Sequence, residues 1–346
     1  MSEVNLPALD HHEGESKPPT PMQEINLALK ACTFGRFHIR LLATSLIATI
    51  SGVLVTNDTA FLLPIAECDL NMDLKQKGLL TAIPYFGMLF SSIIAGFLTD
   101  TFGRKNFIRA GKAGIFVLIL IAGSSQTYIV LLAAKLLQGT LWAVVFTPMI
   151  TFTSEFCYPE IRDRVMIIHS TFVATSQMIV TAITWGFLTN EWKYTFFDGY
   201  IVLNTWNFYL YAMSIFSLSA AILYSFFPES PKFLLTQGKY KEVREILIKI
   251  YVTNTRKEIE TYPYINIWAN KINAINESPE KNIESTFSQH IVTGLHNVKP
   301  LFKRPLVLYL TLLCTMNFSA MALYNLFRLW FPQLSTIVEH YSFISG

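Results

Sequence analysis

Five polar side chains stand inside stretches that are otherwise apolar: Asp58, flanked by Asn57 and Thr59, then Tyr85, Lys135, Gln138 and Gln177. In hydrocarbon such groups are costly and are kept where they meet a partner, an ion or a solute. The Asp58 carboxyl has the chemistry to bind a cation or accept a proton; its bland alternative is a carboxylate at an outer mouth reaching back to water. Lys135 can contact a solute or take part in gating, or can simply extend its stem to the interface. Gln138 and Gln177 offer amides to a cavity. Tyr85, with Trp142 and Trp185, offers ring faces that attract cationic or aromatic groups.

A second set of charges lies at the ends of the apolar stretches: Asp100 and Arg104 in one turn, Glu155, Arg162 and Arg164 in another, and Glu229 after a third. They have the makings of an interhelix charge network that closes one side of a pathway, or of a static fastener. Neither reading involves catalysis. The chain has no G-x-S-x-G, H-E-x-x-H or P-loop pattern. Its four cysteines, Cys32, Cys68, Cys157 and Cys314, form no C-x-x-C pair, so no zinc site or disulfide framework is expected. No enzyme activity and no cofactor or metal are expected, and a net charge of +3 gives no reason to expect nucleic acid as a partner.

The elements that must position these groups are membrane spans. Of the 346 residues, 52% are hydrophobic and 15% charged, against about 25% charged in soluble domains. Stretches of about 20 apolar residues cross a bilayer as helices, and seven qualify: 41–66, 78–99, 107–126, 128–154, 166–188, 204–227 and 305–331. Residues 1–36 have no apolar core of a signal peptide and read as a disordered tail. Lys and Arg concentrate before the first span, around Arg104 and Lys112, at Arg162 and Arg164, and between Lys232 and Arg304. The positive-inside rule therefore puts the N-terminus in the cytosol. That orientation argues against a seven-span receptor, whose N-terminus lies outside. The sequon Asn276-Glu277-Ser278 then falls on the cytosolic side and stays silent. Within the polar stretch 228–304, Val243, Ile246, Leu247 and Ile250 recur at helical spacing, predicting an amphipathic helix that caps the bundle or lies on the membrane surface.

Several short motifs carry a resemblance. Gly96-Phe97-Leu98-Thr99-Asp100-Thr101-Phe102-Gly103-Arg104-Lys105 is similar to the loop signature between spans 2 and 3 of the major facilitator superfamily, departing from it at Thr101. Gly103 there permits the positive φ of a sharp turn. Lys135-Leu136-Leu137-Gln138-Gly139 resembles the superfamily's R-x-x-q-G element, with lysine for arginine. Pro228-Glu229-Ser230-Pro231-Lys232-Phe233 resembles the signature after span 6 in sugar-porter-like and organic-ion-porter-like members. With Trp330-Phe331-Pro332 closing span 7, the chain looks like the synaptic vesicle glycoprotein 2 group and its organic cation/anion transporter relatives, of the insect type, over about 35–332.

The resemblance implies an all-α membrane protein: a six-span bundle (37–227), a cytosolic linker (228–304), span 7 (305–331) and the start of an outer segment (332–346). Such folds have two halves built of inverted repeats, so the rest of the second half is expected from beyond Gly346 or from a partner chain. The activity implied is alternating-access transport of a small organic, ionic solute, in the plasma membrane or a secretory or synaptic vesicle. The alternative is a non-transporting membrane scaffold of the same fold. Asp58, Lys135, Gln138, Gln177 and Tyr85 are the substrate or coupling residues on this reading. Asp100, Arg104, Glu155, Arg162, Arg164 and Glu229 are the cytoplasmic gate.

Overall fold

Within a bilayer every backbone polar group must be paired internally, and a helix does this within one segment. The computed structural model describes residues 20–196, 201–272 and 303–345. Six long helices run in sequence order: α2 (Arg36–Asp69), α3 (Leu74–Phe102), α4 (Arg104–Gly123), α5 (Tyr128–Glu155), α6 (Pro159–Leu188) and α7 (Thr205–Ser225), after a short α1 (Pro21–Ala31). Three more follow: α8 (Pro231–Thr236), α9 (Tyr240–Thr255) and α10 (Leu306–Ser345). Among the described residues, α2, α4, α5, α6, α7 and α10 are long and apolar enough to cross a membrane. Helix α3 covers the expected span 78–99, although the side chains of 93, 94 and 96–102 lie outside the described residues. At about 1.5 Å per residue, α2 exceeds the ~30 Å hydrocarbon core.

Helix α2 packs against α3, α5, α6, α7 and α10, so its residues meet every side of the bundle. Helix α5 lies along α3 and α4, and α4 lies along α7. Close approach of α3 and α5 depends on Gly139: a Cβ there would stand 2.0 Å from the Pro84 carbonyl oxygen. Prolines 64, 84 and 148 sit inside α2, α3 and α5, as membrane helices tolerate when neighbours re-satisfy the freed carbonyls. The same tolerance accounts for a difference from the sequence reading. The last helix does not end at Trp330-Phe331-Pro332 but continues through Pro332 to Ser345.

At the end of the bundle where the chain enters, α1, α8 and α9 form a cap. The stretch expected to be a disordered tail folds from Pro21 onward, burying Ile25, Ala28 and Leu29; residues 1–19 lie outside the described ones. Helix α9 buries Val243, Ile246, Leu247 and Ile250, the face its spacing predicts. Asn254 joins the pieces: its Nδ2 donates to the Cys32 and Thr33 carbonyls at 3.0 and 2.9 Å, and its Oδ1 accepts from Phe37 N–H at 2.9 Å. Trp268 Nε1 donates to Glu24 Oε2, and Tyr262 Oη donates to the Ala28 carbonyl at 3.0 Å. The sequon Asn276-Glu277-Ser278 lies outside the described residues. The opposite end carries a feature absent from the sequence reading, an antiparallel hairpin of β1 (Lys193–Phe196) and β2 (Ile201–Asn204), with Lys193 opposite Asn204 and Phe196 opposite Ile201.

Candidate functional site

Asp58 and Lys135, singled out separately in the sequence, meet. Lys135 Nζ on α5 donates to Asp58 Oδ2 on α2, and the two side chains are 0% and 2% exposed. Thr59 Oγ1 adds a bond to Asp58 Oδ1 at 3.3 Å. Asp58 is therefore not a carboxylate at a wet mouth, and the Lys135 stem does not reach for the interface. Both side chains are buried where α2 and α5 approach closely. Gly52 is what permits it, since a Cβ there would lie 1.8 Å from the Trp142 ring. Two buried opposite charges are tolerable when each neutralises the other, and removing one leaves the other stranded.

With its polar neighbours the pair extends across five helices. Asn57 Nδ2 donates to Gln177 Oε1 on α6 at 2.5 Å. Tyr85 Oη on α3 donates to the Thr56 carbonyl at 3.2 Å and approaches Asn325 Oδ1 at 3.5 Å, while Arg328 Nη2 on α10 donates to it at 2.7 Å. Arg328 thus turns inward, where its place beside Trp330 in the sequence suggests an interface anchor. Gln138 is not part of this cluster: its Nε2 is held by the Leu118 carbonyl of α4 at 3.0 Å. Trp185 is 75% exposed on the outer face of α6. A cleft of about 490 Å³ opens between α2, α6 and α10, with Phe61, Gln177, Thr181, Tyr324 and Arg328 in its wall. A second, of about 540 Å³, lies between α3 and α10 around Thr81, Tyr85, Phe86 and Asn325.

One buried cation was missed. Lys112, grouped with the loop cations in the sequence, is 0% exposed on α4. Its Nζ donates to the Ala48 carbonyl at 2.7 Å and to Ser51 Oγ at 3.3 Å, and stands 4.5 Å from the Trp142 ring centroid. Ser51 in turn shares a 2.5 Å hydrogen bond with Ser217 of α7. The signal was present: Ile108, Lys112, Ile115 and Ile119 follow one helical face, the one α4 buries.

Three of the charges expected to form a gate, Arg104, Glu155 and Glu229, lie together at the start of α4. Arg104 of α4 pairs with Glu155 of α5. Glu229 accepts the Lys105 backbone N–H at 3.0 Å, placing a carboxylate at the N-terminus of α4, where the helix dipole favours it. This close fit requires the turn at Gly103, whose φ is +86°. Arg162 and Arg164 are exposed and make no ion pair among the described residues. The side chain of Asp100 lies outside the described residues. Nearby, Lys232 Nζ donates to the Cys157 carbonyl at 3.2 Å. Burial, with Arg162 adding repulsion, lowers the Lys232 amine below the usual lysine range.

This arrangement has known counterparts. The sugar (and other) transporter family model matches residues 41–327. The chain belongs to that family, a branch of the major facilitator superfamily. Among curated members, synaptic vesicle glycoprotein 2B of Rattus norvegicus is 26% identical over 226 residues, 65% of this chain and 33% of the relative. Synaptic vesicle glycoprotein 2C of Mus musculus is 27% identical over 237 residues, 68% of this chain and 32% of the relative. The chain therefore spans about a third of the length of these relatives. The partially occluded inward-open xylose transporter XylE from E. coli shares the fold at a TM-score of 0.51 and 16% identity, over 68% of this chain and 60% of that one. Its inward-open form gives 0.50 and 15%, over 71% and 57%. The family and the multiple apolar helices together describe an integral, multi-pass membrane protein.

Proposed function

We propose that the chain is the solute-binding first half of a transporter that moves a small organic, ionic solute by alternating access, with Asp58 and Lys135 at its coupling centre. The observation behind this reading is the buried ion pair between α2 and α5. Protonation of Asp58 would break the pair and free the Lys135 ammonium, so occupancy of the carboxyl and the packing of two helices are linked. Gln177 and Tyr85 would bind or orient solute beside it, and Gln138 would hold α5 to α4. Arg104, Glu155 and Glu229 would close the linker-side end, with Asp100, Arg162 and Arg164 completing the closure in a second conformation. The second half of the pathway would come from sequence beyond Gly346 or from a partner chain. The N-terminus would face the cytosol, and the membrane would be the plasma membrane or a secretory or synaptic vesicle.

The test is uptake of labelled organic ions by proteoliposomes holding the whole protein, with and without an inward proton gradient. Asp58→Asn is expected to abolish gradient-driven accumulation while sparing solute exchange at equal pH. Unchanged accumulation would remove Asp58 from coupling. A scaffold reading is favoured by one feature, the ordered cap whose α9 leaves Lys241, Glu242, Glu245 and Lys249 exposed. It predicts that substitutions on this face disturb trafficking and leave flux intact.

A further inference from the structure

Arg328 is a cation without a carboxylate. Its guanidinium lies in the wall of the 490 Å³ cleft, and no acidic side chain pairs with it among the described residues. Its contacts among the described residues are with neutral groups: Nη2 donates to Tyr85 Oη at 2.7 Å, and Cζ stands 5.2 Å from the Tyr324 ring centroid. Its Nε is buried and has no hydrogen-bond partner among the described residues. Asp58 offers no compensation, because Lys135 already neutralises it. Among the described residues, the centre made by α2, α5 and α10 therefore carries one net positive charge, inside a membrane protein where an unpaired charge is costly.

We infer that this cleft binds a small aromatic carboxylate, held by the Nε edge of Arg328. The inference rests on the transporter reading and narrows its solute class from ionic to anionic. Three features match that ligand. A guanidinium edge receives a planar carboxylate through two parallel hydrogen bonds, and the unpartnered Nε is one of the two donors required. Gln177 spends its carbonyl oxygen on Asn57, which leaves its amide hydrogens to donate to an anion. The rest of the wall is ring surface: Phe61, Tyr324, Phe327 and Phe331. Tyr85 also ties the site to the ion pair, since it receives Arg328 and donates to the Thr56 carbonyl, two residues before Asp58. An anion that draws Arg328 away from Tyr85 would loosen a contact on the same turn of α2.

The experiment is a thermal-stability titration of the purified whole protein in lipid nanodiscs, with benzoate, 1-naphthoate and indole-3-acetate as probes. The neutral amide benzamide and the cation benzylamine are the controls. At least one carboxylate is expected to raise the melting temperature saturably, and neither control should. Arg328→Gln is expected to abolish the shift. Arg328→Lys keeps the charge but lacks the fork, and is expected to weaken binding about tenfold or more, as loss of one charge-assisted hydrogen bond implies. A saturable shift with benzylamine, an equal carboxylate response in Arg328→Gln, or no shift with any of the three acids would overturn the inference. If an acidic residue beyond Gly346 neutralises Arg328, the outcome is the last of these. Binding is read without flux, so a failure here leaves the uptake experiment on Asp58 standing, and a failure there leaves this one standing.

Discussion

At the residue scale the informative groups are those whose charge is buried. Asp58 and Lys135 were legible in the sequence because charged residues are rare in apolar runs; that they pair was not, because 77 residues separate them. The pair predicts a specific pattern of stabilities. Lys135→Met should strand the Asp58 carboxylate, and loss of one member of a buried pair costs about 3–5 kcal/mol. The double variant Asp58→Asn/Lys135→Met has no stranded charge and should regain most of that loss. Thermal unfolding in detergent, followed by tryptophan fluorescence, measures both; a double variant no more stable than the single would mean that the pair does not act as a unit. Lys112 shows the opposite failure of sequence reading. Its neighbours Arg104, Lys105 and Arg109 make it look like one of a run of loop cations, and only the register with Ile108 and Ile115 betrays it. With no carboxylate to lose, Lys112→Met should be tolerated far better than Lys135→Met, because a Met stem still fills the space over Trp142 and no charge is left behind.

At the element scale the spans were legible because bilayer thickness sets their length, and α9 because its apolar residues share a helical face. Helix α1 was not legible. Its prolines and polar residues resemble a tail, and what folds it is long-range: Ile25, Ala28 and Leu29 are buried against residues more than two hundred positions away. Cys32 reports on this docking. Burial pushes its thiol up to about 12, partly opposed by the hydrogen bond to Tyr262. An unperturbed thiol ionises near about 8.5, so the unfolded chain binds fewer protons than the docked one above that value. Cap stability from this thiol is therefore complete below about pH 8.5 and falls as the pH rises above it. The Lys30–Glu160 bridge, 2.5 Å between α1 and α6, acts in the acid range. Its hydrogen bond to Lys30 lowers the Glu160 carboxyl, so the bridge contributes above the usual glutamate range and is lost as pH falls through the lowered value. At pH 8 Cys32 should react slowly with a maleimide. A fully buried Ile is worth about 1.5–3 kcal/mol, so Ile25→Asp should raise the labelling rate roughly tenfold or more. Rapid labelling of the unsubstituted protein would mean that α1 does not dock.

At the scale of the whole molecule the open question is which way the bundle faces, and the charges give an answer that can be tested on native residues. The cap end collects the basic segments: Arg36 and Arg40 at the start of α2, Arg104 and Lys105 at the start of α4, Arg162 and Arg164 at the start of α6, and Lys232 in α8. The hairpin end offers Lys75, Lys77 and Lys193, and Lys77 is neutralised there by Glu67. By the positive-inside rule such a difference predicts that the cap faces the cytosol. The helices alone carry no such information, because a span reads the same in either direction; only the loops distinguish the two sides. In sealed microsomes an N-terminal epitope tag should then be open to added protease. The topology that puts the tag in the cytosol also predicts no glycan on Asn276, so endoglycosidase should leave the protein's mobility unchanged. A protected tag together with a glycosidase-sensitive shift that Asn276→Gln removes would invert the molecule. Inversion would also turn the Arg104–Glu155 closure outward, and every role assigned to that end would have to be exchanged with the hairpin end.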